Sequence, residues 1–437
     1  MRSMLLVLGL IVIPPATSLA QDRDTKVRND RATFGKAPGW IYNDLDEGIR
    51  VATREGKPLF VVFRCIPCEA CQEFDDEVAR RDPIIRDMLD QYVCVRIVQA
   101  NTLDLAHFQD DYDQSFAVFL MNPDLTIYGR FGTRSGRPEP DDITLQGLRK
   151  ALEAALRIHR DFERVKPSLA CKQVTPGRYK TPRDYPSLAG KYGETINYEG
   201  PVARSCMHCH QIRDAERLVY RTEAKSIPDE VLFPYPDPDV LGLRLKPDDL
   251  ATVERVEPGT PAEAAGFRKG DEIVTLGEQP LLSIADLQWV LQNAPATVKL
   301  PADVRRDGAI LELTLDLRDG WRRGDISWRA TTWELRRMGL GGMLLEDLND
   351  AQRRDAGLSS NGMALRARHI GEFGDHAIAK RAGLQKGDIV VAFDGKTDRM
   401  TESQLLAHAL QRKRPGDPIV LSVLRDGERK TFTFTLP

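Results

Sequence analysis

A ten-residue motif occurs twice in the C-terminal half of the chain. AGFRKGDEIV at 265–274 is matched by AGLQKGDIVV at 382–391, and VRRDG at 304–308 is matched by VLRDG at 423–427. The two matches are offset by 117 and 119 residues, and a nearly constant offset indicates a duplicated domain. Between the motifs each copy has a helical pattern preceded by Ser283 or Thr401, which are typical N-cap residues. The repeat predicts two compact units, at 236–318 and 334–437.

Both units resemble PDZ domains of the bacterial, HtrA-associated type. The residues that match are Ala265-Gly266-Phe267 with Gly270-Asp271, and Ala382-Gly383-Leu384 with Gly387-Asp388. The resemblance implies two α+β partial barrels that bind protein or peptide C-termini, with the peptide added as a strand to a sheet edge. The implied carboxylate-binding loops are Leu241, Gly242 and Leu243 in the first unit, and Leu340, Gly341 and Gly342 in the second. For each copy, a unit that binds no peptide and only packs against its neighbours is an open alternative.

Three cysteines directly follow the apolar run LFVVF at 59–63 in the first part of the chain: Cys65, Cys68 and Cys71. A continuous apolar run predicts a strand that is buried on both faces. We further predict helices at 40–54, 71–81 and 145–159, a strand at 92–98, and a hairpin formed by 116–121 and 126–131. These elements predict an α/β domain at 37–162.

A strand that leads into a cysteine pair at the start of a helix resembles the thioredoxin family, in particular its exported branch. The resemblance implies a thioredoxin-like α/β sandwich with a redox pair, in which Cys68 attacks, Cys71 resolves and Cys65 is an accessory thiol. A helix N-terminus stabilises a thiolate, which suits the role of Cys68. Phe116 stands where the family has a proline before the facing strand. A C-x-x-C-x-x-C metal site and a structural disulfide are the open alternatives for these three cysteines.

The segment at 163–235 is polar and shows little periodicity, so we predict irregular structure there. It contains CMHCH at 206–210, and C-x-x-C-H is the attachment signal of c-type haem. We therefore predict covalently attached haem c, with thioether bonds to Cys206 and Cys209 and with His210 as an iron ligand. No other metal is expected. A zinc site that includes His208 and a Cys206–Cys209 disulfide are the alternatives.

The first 20 residues have the charged start, short apolar run and small-residue end of a signal peptide. We therefore expect a periplasmic or otherwise exported protein that is soluble after cleavage, without a transmembrane segment. A net charge of −3 gives no indication of nucleic-acid binding. Seven cysteines is an odd number; we predict that Cys94 is a buried apolar residue and that Cys171 is a lone thiol or a partner of Cys65.

The predicted fold class is multidomain, α/β plus β-rich. The leading hypothesis is an exported redox protein that couples a thioredoxin-like dithiol and a haem to PDZ-mediated binding of protein C-termini, with a possible redox partner protein. The alternative is a non-catalytic scaffold in which a degenerate thioredoxin fold is a platform, and Phe116 favours it. The sequence leaves open whether the protein is an enzyme.

Overall fold

The computed structural model of the 437-residue chain describes residues 18–67, 72–173 and 177–437. The predicted signal peptide therefore lies almost wholly outside the described residues, as do Cys68 and Cys71. Within the described ranges, no helix is both long enough and apolar enough to cross a membrane.

The first part of the chain forms a five-stranded sheet with helices on both faces. Its elements are α1 (Ser18–Phe34), β1 (Trp40–Tyr42), α2 (Leu45–Glu55), β2 (Leu59–Arg64), α3 (Gln72–Asp76), α4 (Pro83–Leu89), β3 (Val93–Ile97), β4 (Phe116–Met121), β5 (Ile127–Phe131) and α5 (Leu145–Arg160). The strand order is β1-β3-β2-β4-β5, in which β1, β3 and β2 are parallel and β4 and β5 are antiparallel additions. Every residue of β2 is buried, which confirms the prediction from the run at 59–63.

The prediction of a helix at 40–54 is wrong for residues 40–44. Trp40 to Tyr42 form β1 and pair with β3, and α2 begins only at Leu45. The Asp44 side chain caps this helix by accepting a hydrogen bond from the Glu47 amide at 2.9 Å. The helix predicted at 71–81 is also modified, because α3 is followed by a π-helical turn at Glu77–Arg81.

The middle of the chain is more regular than its sequence suggests. It contains α6 (Phe162–Val165), α7 (Val202–Ser205), α8 (Cys209–Thr222) and α9 (Asp229–Leu232). The prediction of irregular structure therefore fails at α8. Its buried face includes Arg213, Arg217 and Arg221. Because these buried residues are charged, the sequence of α8 lacks the apolar stripe by which an amphipathic helix is predicted.

The two repeats form two similar β-rich units. The first contains β6 (Leu243–Leu245), β7 (Val253–Val256), α10 (Pro261–Ala265), β8 (Glu272–Leu276), β9 (Gln279–Pro280), α11 (Ile284–Asn293), β10 (Val298–Arg306) and β11 (Ala309–Leu317). The second contains α12 (Thr332–Leu340), β12 (Met343–Asp347), α13 (Asp350–Asp355), β13 (Leu365–Ile370), α14 (Ile378–Arg381), β14 (Ile389–Phe393), α15 (Glu402–Arg412), β15 (Pro418–Arg425) and β16 (Glu428–Thr435). Ser283 and Thr401 cap α11 and α15, as predicted. The sheets are open, as in partial barrels.

The first repeat packs against the N-terminal sheet through α11. Ser283 Oγ donates to the carbonyl oxygen of Arg130 on β5 at 2.5 Å. Asp286 forms a buried ion pair with Lys172, at 3.0 Å between Oδ1 and Nζ. The guanidinium of Arg130 lies 3.7 Å from the ring centroid of Trp289. The helix therefore faces the neighbouring domain with charged and aromatic groups that have partners there.

A buried arginine joins the connector between the two repeats to the N-terminal domain. Arg329 Nη1 lies 2.7 Å from Asp111 Oδ2 and 3.2 Å from Asp113 Oδ2, and all three side chains are at most 5% exposed. Arg329 Nη2 also donates to the carbonyl oxygen of Pro234 at 2.8 Å. The Thr331 amide donates to Asp113 at 3.0 Å, so the backbone just before α12 is fixed as well.

We expect Arg329→Met to lower the free energy of unfolding by about 3–5 kcal/mol, because it leaves two buried carboxylates without their cation. Urea unfolding of the full chain measures this change. The matched control is Arg318→Met, whose side chain is 78% exposed beside Asp316 and which should change the free energy by no more than about 0.5 kcal/mol. Equal urea midpoints for the two variants would contradict the importance of the buried cluster.

Candidate functional site

A buried ion pair joins the two ends of the cysteine segment. Arg64, the last residue of β2, lies 3.3 Å from Asp75 of α3, measured from Nε to Oδ2. Asp75 also bonds to Arg96 of β3 at 2.7 and 2.8 Å, and Arg96 bonds to Asp30 of α1 at 2.7 Å. The Asp75 carboxylate is thus neutralised by two arginines. The residues that flank positions 65–71 are therefore fixed to the underlying sheet and helix.

Cys65 contacts the middle segment of the chain. Its Sγ lies 3.0 Å from Nδ1 of His208, although the two residues are 143 positions apart. The imidazole of His208 stacks on that of His210, with 5.5 Å between centroids and 6° between planes. Burial, together with the nearby His210 and Arg23, lowers the pKa of His208 to about 4. The ring is therefore neutral at physiological pH and can either accept or donate a hydrogen bond at Nδ1.

The two cysteines of the CxxCH motif face different surroundings. Cys206 is 3% exposed, packs in a small apolar cluster with Val98 and Val202, and its Sγ lies 3.2 Å from the carbonyl oxygen of Val98. Burial, with a smaller effect of Cys209, raises the pKa of the Cys206 thiol to about 12. Cys209 is partly exposed and begins α8.

Covalent haem attachment at this motif would require both sulfurs to reach the vinyl groups of one porphyrin. Met207 between them is 1% exposed, and its amide donates to Asn101 at 2.8 Å, so the loop is fixed against the N-terminal domain. The cavity beside Cys209 has a volume of about 20 Å³, which is the space of about one water molecule. Haem binding through Cys206, Cys209 and His210 remains a prediction.

No cluster of three or more His, Cys, Asp or Glu side chains that could bind a metal ion occurs in the described ranges 18–67, 72–173 and 177–437. Cys94 is buried beside β1, as predicted. Cys171 is exposed and is not in a disulfide, which agrees with the lone-thiol alternative.

The small cavity beside Cys65 and Cys209 also has a buried carboxyl group in its wall. Asp110 lines it together with Phe116, and the Gln114 amide donates to Asp110 Oδ2 at 2.8 Å. Burial raises the pKa of Asp110 to about 7, against the lowering effect of the hydrogen bonds and of Arg130. The site therefore contains a group that can exchange a proton near neutral pH. Hydropathy could not have indicated Asp110, since it is one of three acids within the polar run QDDYDQ.

The raised pKa of Asp110 predicts a specific dependence of stability on pH. The folded state retains the proton up to about pH 7, whereas the unfolded state loses it near the ordinary aspartate pKa of 3.8, so this group lowers stability as pH rises through that window. We expect Asp110→Asn to be more stable than the wild type at pH 8 by up to roughly 4 kcal/mol, with the difference vanishing near pH 3 to 4. Urea unfolding at a series of pH values measures this difference. Asp87→Asn, whose carboxylate is 74% exposed, is the control and should follow the wild-type profile.

The loops that the resemblance implies for peptide binding lead into β6 in the first repeat and into β12 in the second. Gly242 has a φ of 80°, and its amide donates to the Asp239 carbonyl oxygen at 2.9 Å. Gly342 has a φ of 87°, and its amide donates to the Arg336 carbonyl oxygen at 2.9 Å. Leu241 and Leu340 are fully buried. These glycine amides already have partners within the chain, so a peptide carboxylate would have to use other N–H groups of the loops.

The groove of the second repeat is partly closed by its own side chains. Glu402, the first residue of α15, accepts a hydrogen bond from the Leu345 amide on β12 at 2.7 Å. The same carboxylate bonds twice to Arg336 of α12, at 2.9 and 2.6 Å, and both side chains are at most 4% exposed. β12 is the edge strand to which a peptide would add, so Glu402 occupies one of its donors. The corresponding residue of the first repeat, Ile284, cannot do this.

We expect Gly242→Ala to destabilise the first repeat more than Gly259→Ala does. Both glycines have positive φ values, 80° and 75°. An alanine in this left-handed conformation lowers the free energy of unfolding by about 1–2 kcal/mol at either position. A Cβ on Gly242 would also collide with Thr260, whereas one on Gly259 has no atom of the described residues within 4 Å. Overpacking adds about 1–3 kcal/mol. Urea unfolding of the full chain measures the difference, and equal losses for the two variants would contradict this packing.

Models of two known families match separate parts of the chain. The thioredoxin-like family model matches residues 40–123, and the PDZ domain model matches residues 239–317 and 376–436. The chain therefore contains a thioredoxin-like domain followed by two PDZ domains, as the two resemblances implied.

Several curated proteins are similar to part of the chain. A probable periplasmic serine endoprotease DegP-like of Pseudomonas savastanoi pv. phaseolicola is 25% identical over 195 residues, which are 44% of this chain and 38% of that protein. A putative zinc metalloprotease, RSc1411 of Ralstonia nicotianae, is 33% identical over 187 residues, which are 42% of this chain and 35% of that protein. This chain thus spans well under half the length of these relatives. Among solved structures, an HtrA-type protease AlgWS227A with decapeptide aligns with a TM-score of 0.21 and 17% identity, over 32% of this chain and 40% of that one.

Proposed function

We propose that this chain is an exported thiol–disulfide exchange protein. The observation that carries the proposal is the buried bond between Arg64 and Asp75, which fixes both flanks of the cysteine segment at a strand-to-helix junction. A thioredoxin-like domain with cysteines at this junction is suited to exchange disulfides with a protein client.

In the proposed reaction, the Cys68 thiolate attacks one sulfur of a client disulfide. A mixed disulfide forms between Cys68 and the client, and the second client sulfur leaves as a thiolate that takes up a proton. Cys71 then attacks the Cys68 sulfur and releases the first client sulfur, which is also protonated. The client disulfide is reduced by two electrons, and Cys68 and Cys71 are oxidised to a disulfide.

The PDZ domains supply the client-binding part of the proposal. Domains of this kind bind C-termini by strand addition and by backbone N–H groups of the loop. In the second domain the Glu402 carboxylate bonds to a backbone amide of the edge strand. The first domain has Ile284 at this position, so no carboxylate there bonds to the amides of β6. The first domain is therefore the better candidate for binding a protein C-terminus. Export is supported by the signal-peptide pattern at 1–20 and by the relatives named as periplasmic. Haem takes no part in the proposal.

A second candidate function is a non-catalytic scaffold. Phe116 lies opposite Arg64 in the β2–β4 pair and is 1% exposed, and its ring packs 5.2 Å from that of Phe74. A large buried side chain at this position replaces the proline loop of the family that this domain resembles. This substitution favours a domain that binds neighbours and does not position client disulfides.

The test is reduction of insulin disulfides by the full mature chain with dithiothreitol as the electron source. We expect the wild type to accelerate the reduction and Cys68→Ser to lower its rate by at least about tenfold, because the attacking sulfur is lost. Cys171→Ser removes an exposed thiol outside the segment and should retain the wild-type rate. A wild type without activity, or full activity in Cys68→Ser, would favour the scaffold.

A further inference from the structure

Two cysteine-bearing segments that are far apart in the sequence meet at the end of β2. Cys65 and Cys209 line the same cavity of about 20 Å³. The residue before Cys209 is His208, whose Nδ1 lies 3.0 Å from the Cys65 sulfur. The remaining wall includes Phe63, Phe108, Phe116 and Phe119 and, as polar members, Asp110, Asp111 and Gln114. The two cysteine residues therefore line one shared, water-sized space.

The packing of the middle segment keeps Cys209 at this place. The Ala100 amide donates to the Met207 carbonyl oxygen at 3.3 Å, and Asn101 Nδ2 donates to the Ser205 carbonyl oxygen at 2.9 Å. The His208 amide donates to Gln211 Oε1 at 2.9 Å, which caps the first turn of α8. Cys206, by contrast, points away into its own apolar cluster. The two cysteines of the CxxCH motif thus have different neighbours, and Cys209 is the one that lines the cavity beside Cys65.

We propose that Cys65 and Cys209 form a second dithiol/disulfide pair, which links the CxxCH segment to the thioredoxin-like domain. This proposal rests on the proposed thiol exchange, because a protein disulfide is its oxidant. The Cys65 thiolate attacks a sulfur of that disulfide and forms a mixed disulfide, and one thiolate leaves and is protonated. Cys209 then attacks the Cys65 sulfur, the S–S bond between Cys65 and Cys209 forms, and the second thiolate leaves and is protonated.

The neighbouring imidazole gives the Cys65 proton a place to go when the sulfur attacks, because His208 Nδ1 lies 3.0 Å from it. The bond would close a loop of about 140 residues, and a cross-link across a long loop restricts the unfolded chain strongly. The oxidised pair would therefore stabilise the contact between the two segments.

The test is peptide mapping of the full mature chain after equilibration with oxidised glutathione, with free thiols alkylated before trypsin digestion. Cleavage after Arg64, Arg80, Arg204 and Arg213 places the relevant cysteines in peptides 65–80 and 205–213. We expect a disulfide-linked pair of these two peptides that disappears on reduction. The link should persist in Cys206→Ser and be lost in both Cys65→Ser and Cys209→Ser.

Three outcomes would overturn the pairing. They are no linked pair in the wild type, a link that persists in Cys65→Ser or Cys209→Ser, and a peptide 205–213 that carries haem. Cys206→Ser and Cys209→Ser each remove one thiol from the same motif. A link that is lost only in Cys209→Ser therefore identifies Cys209 as the specific partner of Cys65. Insulin reduction without the link would refute this inference and leave the proposed function, whereas the link without insulin reduction would refute the proposed function and support a cross-linked scaffold.

Discussion

The arrangement of the domains depends on charged side chains that are buried where separate parts of the chain meet. Arg329 of the connector bonds to Asp111 and Asp113 of the thioredoxin-like domain. Lys172 bonds to Asp286 of the first PDZ domain in the same manner. A buried ion whose partner is removed costs several kcal/mol, so these pairs tolerate little separation of the domains.

This arrangement has a consequence for the PDZ domains. Both elements that flank the groove of the first domain have partners in the thioredoxin-like domain: Ser283 of α11 bonds to Arg130, and Arg244 of β6 lies 3.4 Å from the Asp141 carbonyl oxygen. In the second domain, α12 and Glu402 reach the edge strand. Each PDZ domain is therefore also a structural part that packs against its neighbours, whether or not it binds a peptide.

The elements that could be predicted from the sequence are those that depend on patterns of neighbouring residues. The buried strand β2, the β4–β5 hairpin and the two repeats follow from apolar runs and from glycine and cap positions that act over a few residues. The prediction failed at Trp40 to Tyr42, because apolar spacing there fits a helix as well as a short parallel strand, and pairing with β3 decided between them. It also failed at α8, whose buried arginines have partners more than 100 positions away, such as Thr331 for Arg217. The contact between Cys65 and His208 could not be predicted either, because no sequence pattern in either segment indicates that the two segments meet.

The bond between Arg64 and Asp75 has a consequence for the speed of sulfur chemistry. When a cysteine segment changes oxidation state, the chain on either side ordinarily has to adjust, and each adjustment slows the exchange. Here the residues before and after the segment are attached to each other and to Arg96 beneath them. In the proposed thiol exchange, these anchored flanks would limit any rearrangement of the chain to the residues between them.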